Sequence, residues 1–293
     1  MADTAHQPAC WLNGKRVAPQ QAVVSVFDHG LLYGDGVFEG IRFYNGRAFR
    51  LQAHLDRLAL SARAIALSLP YTPTQLADAV AETIAAAGVS EGYLRLVVTR
   101  GVGPLGLDPT RCHSPSVFII ADRLQLVSGE TRSQGAKVII AATRRLGPDG
   151  LDPRIKSLNY LNHILARLEA SHAGADEAIL LNSAGRVAEG SADNLFIVRN
   201  GELLTPPAME GALDGITRQV VLELAVELGI PHREIPLAPY DVFVADECFL
   251  TGTGAELIPV ASVDGRTLEQ CPGPVFTAVQ AAFRGCVERE TGR

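Results

Sequence analysis

Apolar positions along this chain follow two rhythms. Short apolar runs occupy residues 23–27, 38–44, 93–99, 117–121, 138–142, 177–181, 194–198 and 247–250, and their length and bounding turn residues predict strands. Asn13-Gly14, Asn45-Gly46, Asn200-Gly201 and Asp264-Gly265 sit between strand-like runs. Each suits a tight hairpin, because Asn, Asp and Gly tolerate the positive φ that such a turn needs at both central positions. Hairpin linkage predicts sheets that are antiparallel or mixed. The second rhythm is helical. Leu51, Leu55, Leu58, Ala62 and Ile65 recur at helical spacing, as do Leu158, Leu161, Ile164, Leu165 and Leu168, and then Ile216, Val220, Val221, Leu224 and Leu228. Ser157 is placed to cap the second helix and Gly174 to end it, while Gly229-Ile230-Pro231 stops the third. The predicted fold class is α/β, in the α+β sense with mixed sheets.

Both rhythms lapse between Ala121 and Gly135, where Ser128-Gly129-Glu130-Thr131-Arg132-Ser133-Gln134 is polar. The lapse predicts a small N-terminal α/β domain over 1–121, a connector over 122–135 and a larger domain over 136–293, a division that 293 residues can support. A net charge of −6 argues against nucleic acid or an anionic membrane as the main partner. Apolar runs such as 117–121 and 138–142 are far too short to span a bilayer. Met1 to Ala9 carries Asp3 and His6 and lacks the apolar core of a signal peptide. Cys10, Cys112, Cys248, Cys271 and Cys286 are dispersed, which argues against a metal site or a disulfide framework. The expectation is a cytoplasmic enzyme or binding protein with no metal.

Several short segments could carry chemistry. Lys156 lies in Ile155-Lys156-Ser157-Leu158-Asn159-Tyr160, and Glu189 in Arg186-Val187-Ala188-Glu189-Gly190-Ser191-Ala192-Asp193-Asn194-Leu195-Phe196. A lysine amine attacks an aldehyde only when deprotonated, a form favoured by burial or by cationic neighbours. Taken alone, either residue is an ordinary solvated side chain. Leu213-Asp214-Gly215-Ile216-Thr217-Arg218 opens the third helix, where unpaired N–H groups and the helix dipole favour an anion. A second small-residue loop is Thr251-Gly252-Thr253-Gly254-Ala255-Glu256. Arg57 lies off the apolar stripe of its helix, the place of a solvated arginine, and Tyr160 falls one turn after Lys156. In Tyr93-Leu94-Arg95 the alternation puts Tyr93 and Arg95 on one strand face.

Taken in this order, the segments resemble the fold-type-IV pyridoxal phosphate enzymes, which include branched-chain and D-amino acid aminotransferases and aminodeoxychorismate lyase. The resemblance runs from Trp11 to about Gly265. It implies a two-domain fold with pyridoxal 5'-phosphate held by Lys156 as a Schiff base. Glu189 would keep the pyridine nitrogen protonated, so that the ring takes up substrate electrons. Asp193 stands where the family often has Glu. The resemblance assigns the cofactor phosphate to Arg57, Gly215, Ile216, Thr217 and Thr253, counts Leu213 of the same segment among the cofactor-binding residues, and puts Tyr160 at the cofactor's phenolic oxygen. Gly30-Leu31-Leu32-Tyr33-Gly34-Asp35-Gly36-Val37-Phe38-Glu39-Gly40-Ile41-Arg42 looks like the branched-chain enzymes, whereas D-amino acid enzymes tend to carry Tyr-Glu-Val at the place of Phe38-Glu39-Gly40.

On the same resemblance, Phe38 is an apolar pocket wall, Gly40 leaves room, and Tyr33 lies at the edge. Tyr93 and Arg95 bind carboxylate, with Arg95 as the clamp for the second carboxylate of glutamate. Thr253 and Gly254 meet the substrate carboxylate. Leu107, in Leu105-Gly106-Leu107-Asp108-Pro109, belongs to a loop that a neighbouring subunit lends, so a homodimer or larger homo-oligomer is implied. One departure is that residues 121–131 contain no aromatic, which loosens the expected lid. Arg100 either binds a carboxylate or is structural. The implied reaction is transamination of leucine, isoleucine and valine with 2-oxoglutarate. Other readings are a D-amino acid or (R)-amine transaminase, an aminodeoxychorismate lyase, or a cofactor-carrying binding protein; Lys156, Glu189 and Thr217 argue against the last.

Overall fold

The computed structural model describes residues 7–124 and 129–292. The start of the chain through His6 and part of the expected connector, 125–128, lie outside the described residues. Two compact units emerge. The first comprises the described residues of Met1–Leu124 with Ile155–Asn159 and Val287–Arg293, and the second those of Gln125–Arg154 and Tyr160–Cys286. The continuous boundaries expected at 121 and 136 are therefore corrected, because the lysine segment and the end of the chain return to the first unit.

In the first unit β1 (Ala9–Leu12), β2 (Lys15–Val17), β3 (Gly36–Tyr44), β4 (Arg47–Ala48), β5 (Gly92–Thr99) and β6 (Ser116–Asp122) form one antiparallel sheet in the order β2-β1-β6-β5-β3-β4. The helices are α1 (His29–Tyr33), α2 (Leu51–Ala64) and α3 (Pro73–Ala87). Alternation along β3 and β5 turns Val37, Ile41, Phe43, Leu94, Leu96 and Val98 into one core with Leu55, Leu58, Leu76, Val80 and Ile84 of α2 and α3. Phe38, Gly40, Arg42, Tyr93 and Arg95 are left on the opposite face. Thr72 and Gln75 close a capping box on α3, and Pro73 is its first residue.

The second unit holds β7 (Ala136–Ile140), β8 (Glu177–Leu181), β9 (Val187–Gly190), β10 (Asn194–Arg199), β11 (Glu202–Thr205), β12 (His232–Glu234), β13 (Glu247–Gly252), β14 (Glu256–Val263) and β15 (Arg266–Thr267). They make a mixed sheet ordered β12-β11-β10-β13-β14-β7-β8-β9, with β15 paired to β14. Its helices are α4 (Gly129–Gln134), α5 (Leu161–His172), α6 (Ile216–Glu227) and α7 (Pro239–Phe243); α8 (Pro274–Thr291) passes from this unit into the first. No described helix is long and apolar enough to cross a membrane.

All four Asn/Asp-Gly turns form hairpins with positive φ at both central residues, from 45° and 97° at Asn13-Gly14 to 47° and 74° at Asp264-Gly265. Two sequence expectations fail. Residues 23–27 form no strand; Phe27 N–H folds back onto Ser25 Oγ and Asp28 N–H onto the Ser25 carbonyl, and the four apolar side chains stay exposed. The second helix begins at Leu161, not after Ser157, because the backbone of 156–158 is bonded to β3 instead. Its buried face is His163, Ala166 and Ala170, so Leu161, Ile164, Leu165 and Leu168 are exposed.

Candidate active site

In the first unit the lysine segment lies along β3. Phe38 N–H donates to the Lys156 carbonyl and Leu158 N–H to the Gly36 carbonyl, both at 3.0 Å. Ser61 Oγ, on α2, accepts the Lys156 N–H at 3.1 Å. With its main chain held at both donor and acceptor, Lys156 projects its side chain over the Phe38 ring, Nζ lying 4.6 Å from the centroid. The residues from Lys156 to Tyr160 are not helical, so the spacing of one helical turn does not apply.

Arg95 reaches the same ring, its Cζ 4.4 Å from the Phe38 centroid, and Nη2 donates to the Tyr93 hydroxyl at 3.2 Å. Gly40 pairs with Arg95 across the sheet, and a Cβ at Gly40 would come within 1.8 Å of the Tyr93 hydroxyl. The room at Gly40 is therefore taken by the Tyr93 phenol. Tyr33 is grouped elsewhere: its hydroxyl accepts Gly106 N–H at 3.0 Å, in the loop of Leu107, which is 80% exposed. Arg100 takes the structural role. It holds both Asp35 carboxylate oxygens at 2.9 and 3.0 Å and donates to the Ile65 and Ala66 carbonyls that end α2.

Glu39 points to the α2 side of β3 and is wholly buried. Arg57 Nε and Nη2 donate to its two oxygens at 2.8 Å each, and His54 Nδ1 contacts Oε2 at 2.7 Å. Burial pushes the Glu39 carboxyl up, but the Arg57 charge and the hydrogen bonds from Arg57 and His54 outweigh it and hold the group at about 2. Burial pushes the His54 imidazole down; Glu39 opposes this, while Arg57 and Lys156 add to it. A neutral His54 facing an ionised carboxylate carries its proton on Nδ1, since the carboxylate can only accept. Arg57 is thus not the solvated arginine that its position off the apolar stripe suggested.

In the second unit Glu189, on β9, is buried. Its Oε1 accepts from Arg145 Nε at 2.7 Å and its Oε2 from Leu213 N–H at 2.9 Å. Arg145 was not visible in the sequence, where nothing separates it from Arg144. Asn194 Nδ2 donates to the Leu213 carbonyl at 2.8 Å, and a Cβ at Gly215 would lie 2.0 Å from Asn194 Oδ1. Gly215 is the N-cap of α6, with no side-chain cap, and buried Ile216 and Thr217 follow it. This start therefore presents main-chain N–H groups to an anion. Tyr160 caps α5 and stacks on His163 with ring centroids 4.3 Å apart, and His163 Nδ1 contacts the Ser191 carbonyl at 2.7 Å. His163 is the second residue the sequence did not single out; it stands beside Asn162, off the leucine-rich stripe, where no local signal separates the two. Thr253 and Gly254 lie in the turn between β13 and β14, both half-buried. Among the described residues no cluster of His, Cys, Asp and Glu could hold a metal.

The chain belongs to the class IV aminotransferases, whose family model matches residues 36–263. Within that class it is 52% identical over 258 residues to a putative branched-chain-amino-acid aminotransferase of Methanocaldococcus jannaschii, covering 88% of each chain. The crystal structure of the Escherichia coli branched-chain amino acid aminotransferase matches with a TM-score of 0.91 at 35% identity, over 94% of this chain and 93% of the other. The branched-chain amino acid aminotransferase of Thermobaculum terrenum, in its PLP form, matches with a TM-score of 0.86 at 31% identity, over 95% of this chain and 93% of the other.

Proposed function

We propose that this chain transfers the amino group of branched-chain L-amino acids to 2-oxoglutarate, with pyridoxal 5'-phosphate as its cofactor. The observation that carries this reading is the Phe38 ring flanked by Lys156 Nζ at 4.6 Å and Arg95 Cζ at 4.4 Å. An apolar surface suited to leucine and a cation suited to the second carboxylate of glutamate therefore stand beside the one lysine on that face. Similarity to enzymes named for branched-chain substrates supports the same substrate class.

The residues present fit the cofactor. Gly215 admits no side chain, and α6 opens with N–H groups that suit a phosphate, as do the Thr217 hydroxyl and the Arg57 guanidinium. Glu189 offers a buried, oriented carboxylate to a pyridinium nitrogen, Tyr160 a phenol held by its stack on His163, and Thr253 and Gly254 turn N–H groups to a carboxylate. When bound, pyridoxal phosphate supplies an aldehyde that bonds amines and a ring that accepts a carbanion's electrons. Lys156 would hold it through its side-chain nitrogen, and the same amine, when free, would be the base placed to take the proton from the substrate Cα. The working unit in this reading is a homodimer: Leu105, Leu107 and the Leu161–Ile164–Leu165–Leu168 face of α5 are exposed apolar surface. A one-chain mass by light scattering would reject that dimer.

A donor panel of L-leucine, D-alanine, an (R)-amine and aminodeoxychorismate tests the function, with L-leucine expected to lead; a preference for D-alanine would overturn the L-branched-chain reading. The same assay on Arg95→Ala tests the clamp. Loss of kcat/KM should be greater for glutamate and 2-oxoglutarate than for leucine by about 1.5–3 kcal/mol, the worth of a hydrogen bond to a charged group. Equal losses would instead put Arg95 on the carboxylate that all substrates share.

A further inference from the structure

We infer that Glu39 and His54 are positioning residues for the cofactor phosphate, holding the Arg57 guanidinium in the orientation from which it grips that group. The inference rests on the assignment of Arg57 to the phosphate made above.

Strand alternation puts Glu39 in the layer of Val37, Ile41 and Phe43, between β3 and the helices. A carboxylate in such a layer is costly unless paired, and an apolar residue of similar size would fill the space without that cost. Its presence is explained if the cation it holds is needed there. The pair is specific in direction. Arg57 uses Nε and Nη2, one edge of the guanidinium, against both Glu39 oxygens, which fixes the plane of the group and the direction of its remaining edge. An unpaired arginine would sample many rotamers, and a phosphate would have to order it on binding.

His54 fixes the carboxylate in turn. Its Nδ1 contact to Oε2 leaves Glu39 held from two side chains of one helix, so the carboxylate plane cannot swing with the arginine. His54, Arg57 and Ser61 fall at i, i+3 and i+7 on α2 and share one face. Ser61 on that face also takes the Lys156 N–H. One helical face therefore sets both the arginine and the backbone of the lysine segment, and Glu39 is the group on β3 against which the arginine is aimed.

The test compares two ligands on the full-length chain after its cofactor has been stripped. Pyridoxal phosphate and pyridoxal share the ring and aldehyde and differ only in the phosphate. Both partners of Glu39 are donors, so Glu39→Gln must turn its amide N–H2 toward one of them. Glu39→Gln should weaken pyridoxal phosphate binding about tenfold or more and pyridoxal less than about threefold; His54→Asn should show a smaller loss in the same direction, about two- to fivefold. Arg57→Ala is the control and should show the largest phosphate-selective loss. If Arg57→Ala weakens both ligands alike, the phosphate assignment itself fails. If Arg57→Ala is selective while Glu39→Gln and His54→Asn weaken both ligands alike or neither, the positioning role is overturned and the assignment stands. Should Glu39→Gln lose its fold by circular dichroism, His54→Asn, which leaves the ion pair in place, decides by the same comparison.

Discussion

Lys156→Ala is expected to lose all measurable transamination and to keep its fold. The proposed function assigns the chemistry to the side chain, whereas the structure holds the segment by its main chain. Phe38 N–H bonds the Lys156 carbonyl, Leu158 N–H bonds the Gly36 carbonyl and Ser61 Oγ takes the Lys156 N–H, so none of these contacts is lost with the side chain. The side chain is only half-buried, and truncating it removes its packing against Phe38. Thermal unfolding should therefore shift little, while turnover falls below detection, because among the described residues no other amine stands at Phe38 to move the Cα proton. The parent protein should be yellow, and borohydride should reduce the carbon–nitrogen link to a stable secondary amine on the peptide carrying Lys156. The other two lysines, Lys15 on β2 and Lys137 on β7, are exposed. A borohydride adduct on either of them would remove Lys156 from its role.

What could be read from the sequence was what is decided locally. Turns were legible at all four Asn/Asp-Gly pairs, since their chemistry selects the φ values they adopt. α6 was legible with its start and stop, because Gly215 and Gly229 flank one dense apolar stripe. α3 was not legible: alanines surround Leu76, Val80 and Ile84 and blur the stripe that these three bury. β14 was hidden by Pro259, which breaks a strand pattern yet sits opposite Phe249 in the interior of the mixed sheet. The lysine segment was visible as letters, but its backbone state was decided by β3, more than a hundred residues away, and local cap signals at Ser157 pointed to a helix that starts four residues later. Partners in three dimensions were the least legible. Arg145 meets Glu189 from 44 residues away and His54 meets Glu39 from 15 away, and no spacing rule connects either pair.

Glu189→Gln is expected to slow the amino-transfer half-reaction about a hundredfold or more, the scale on which loss of a charge aimed at a transition state is felt. In the role proposed for it, the carboxylate keeps the ring nitrogen protonated, the state in which the ring draws electrons from the substrate carbon. Gln keeps the shape and removes that charge. The structure adds a second consequence. Glu189 accepts from two donors, Arg145 Nε at 2.7 Å on one oxygen and Leu213 N–H at 2.9 Å on the other. A glutamine amide can accept at one of these positions and must set N–H2 against a donor at the other. The buried Arg145 is then left with a weaker partner or Leu213 N–H with none, at a cost of about 1–3 kcal/mol in stability. The variant should therefore unfold at lower temperature than the parent as well as react slowly. Cofactor should still bind, because the α6 start proposed for its phosphate is not changed by the substitution. Single-turnover absorbance separates the effects: the cofactor band of the variant should be present at the start and decay slowly on adding leucine. A parent-like decay rate in a fully loaded variant would take Glu189 out of the electron-withdrawing role and leave it as a structural partner of Arg145.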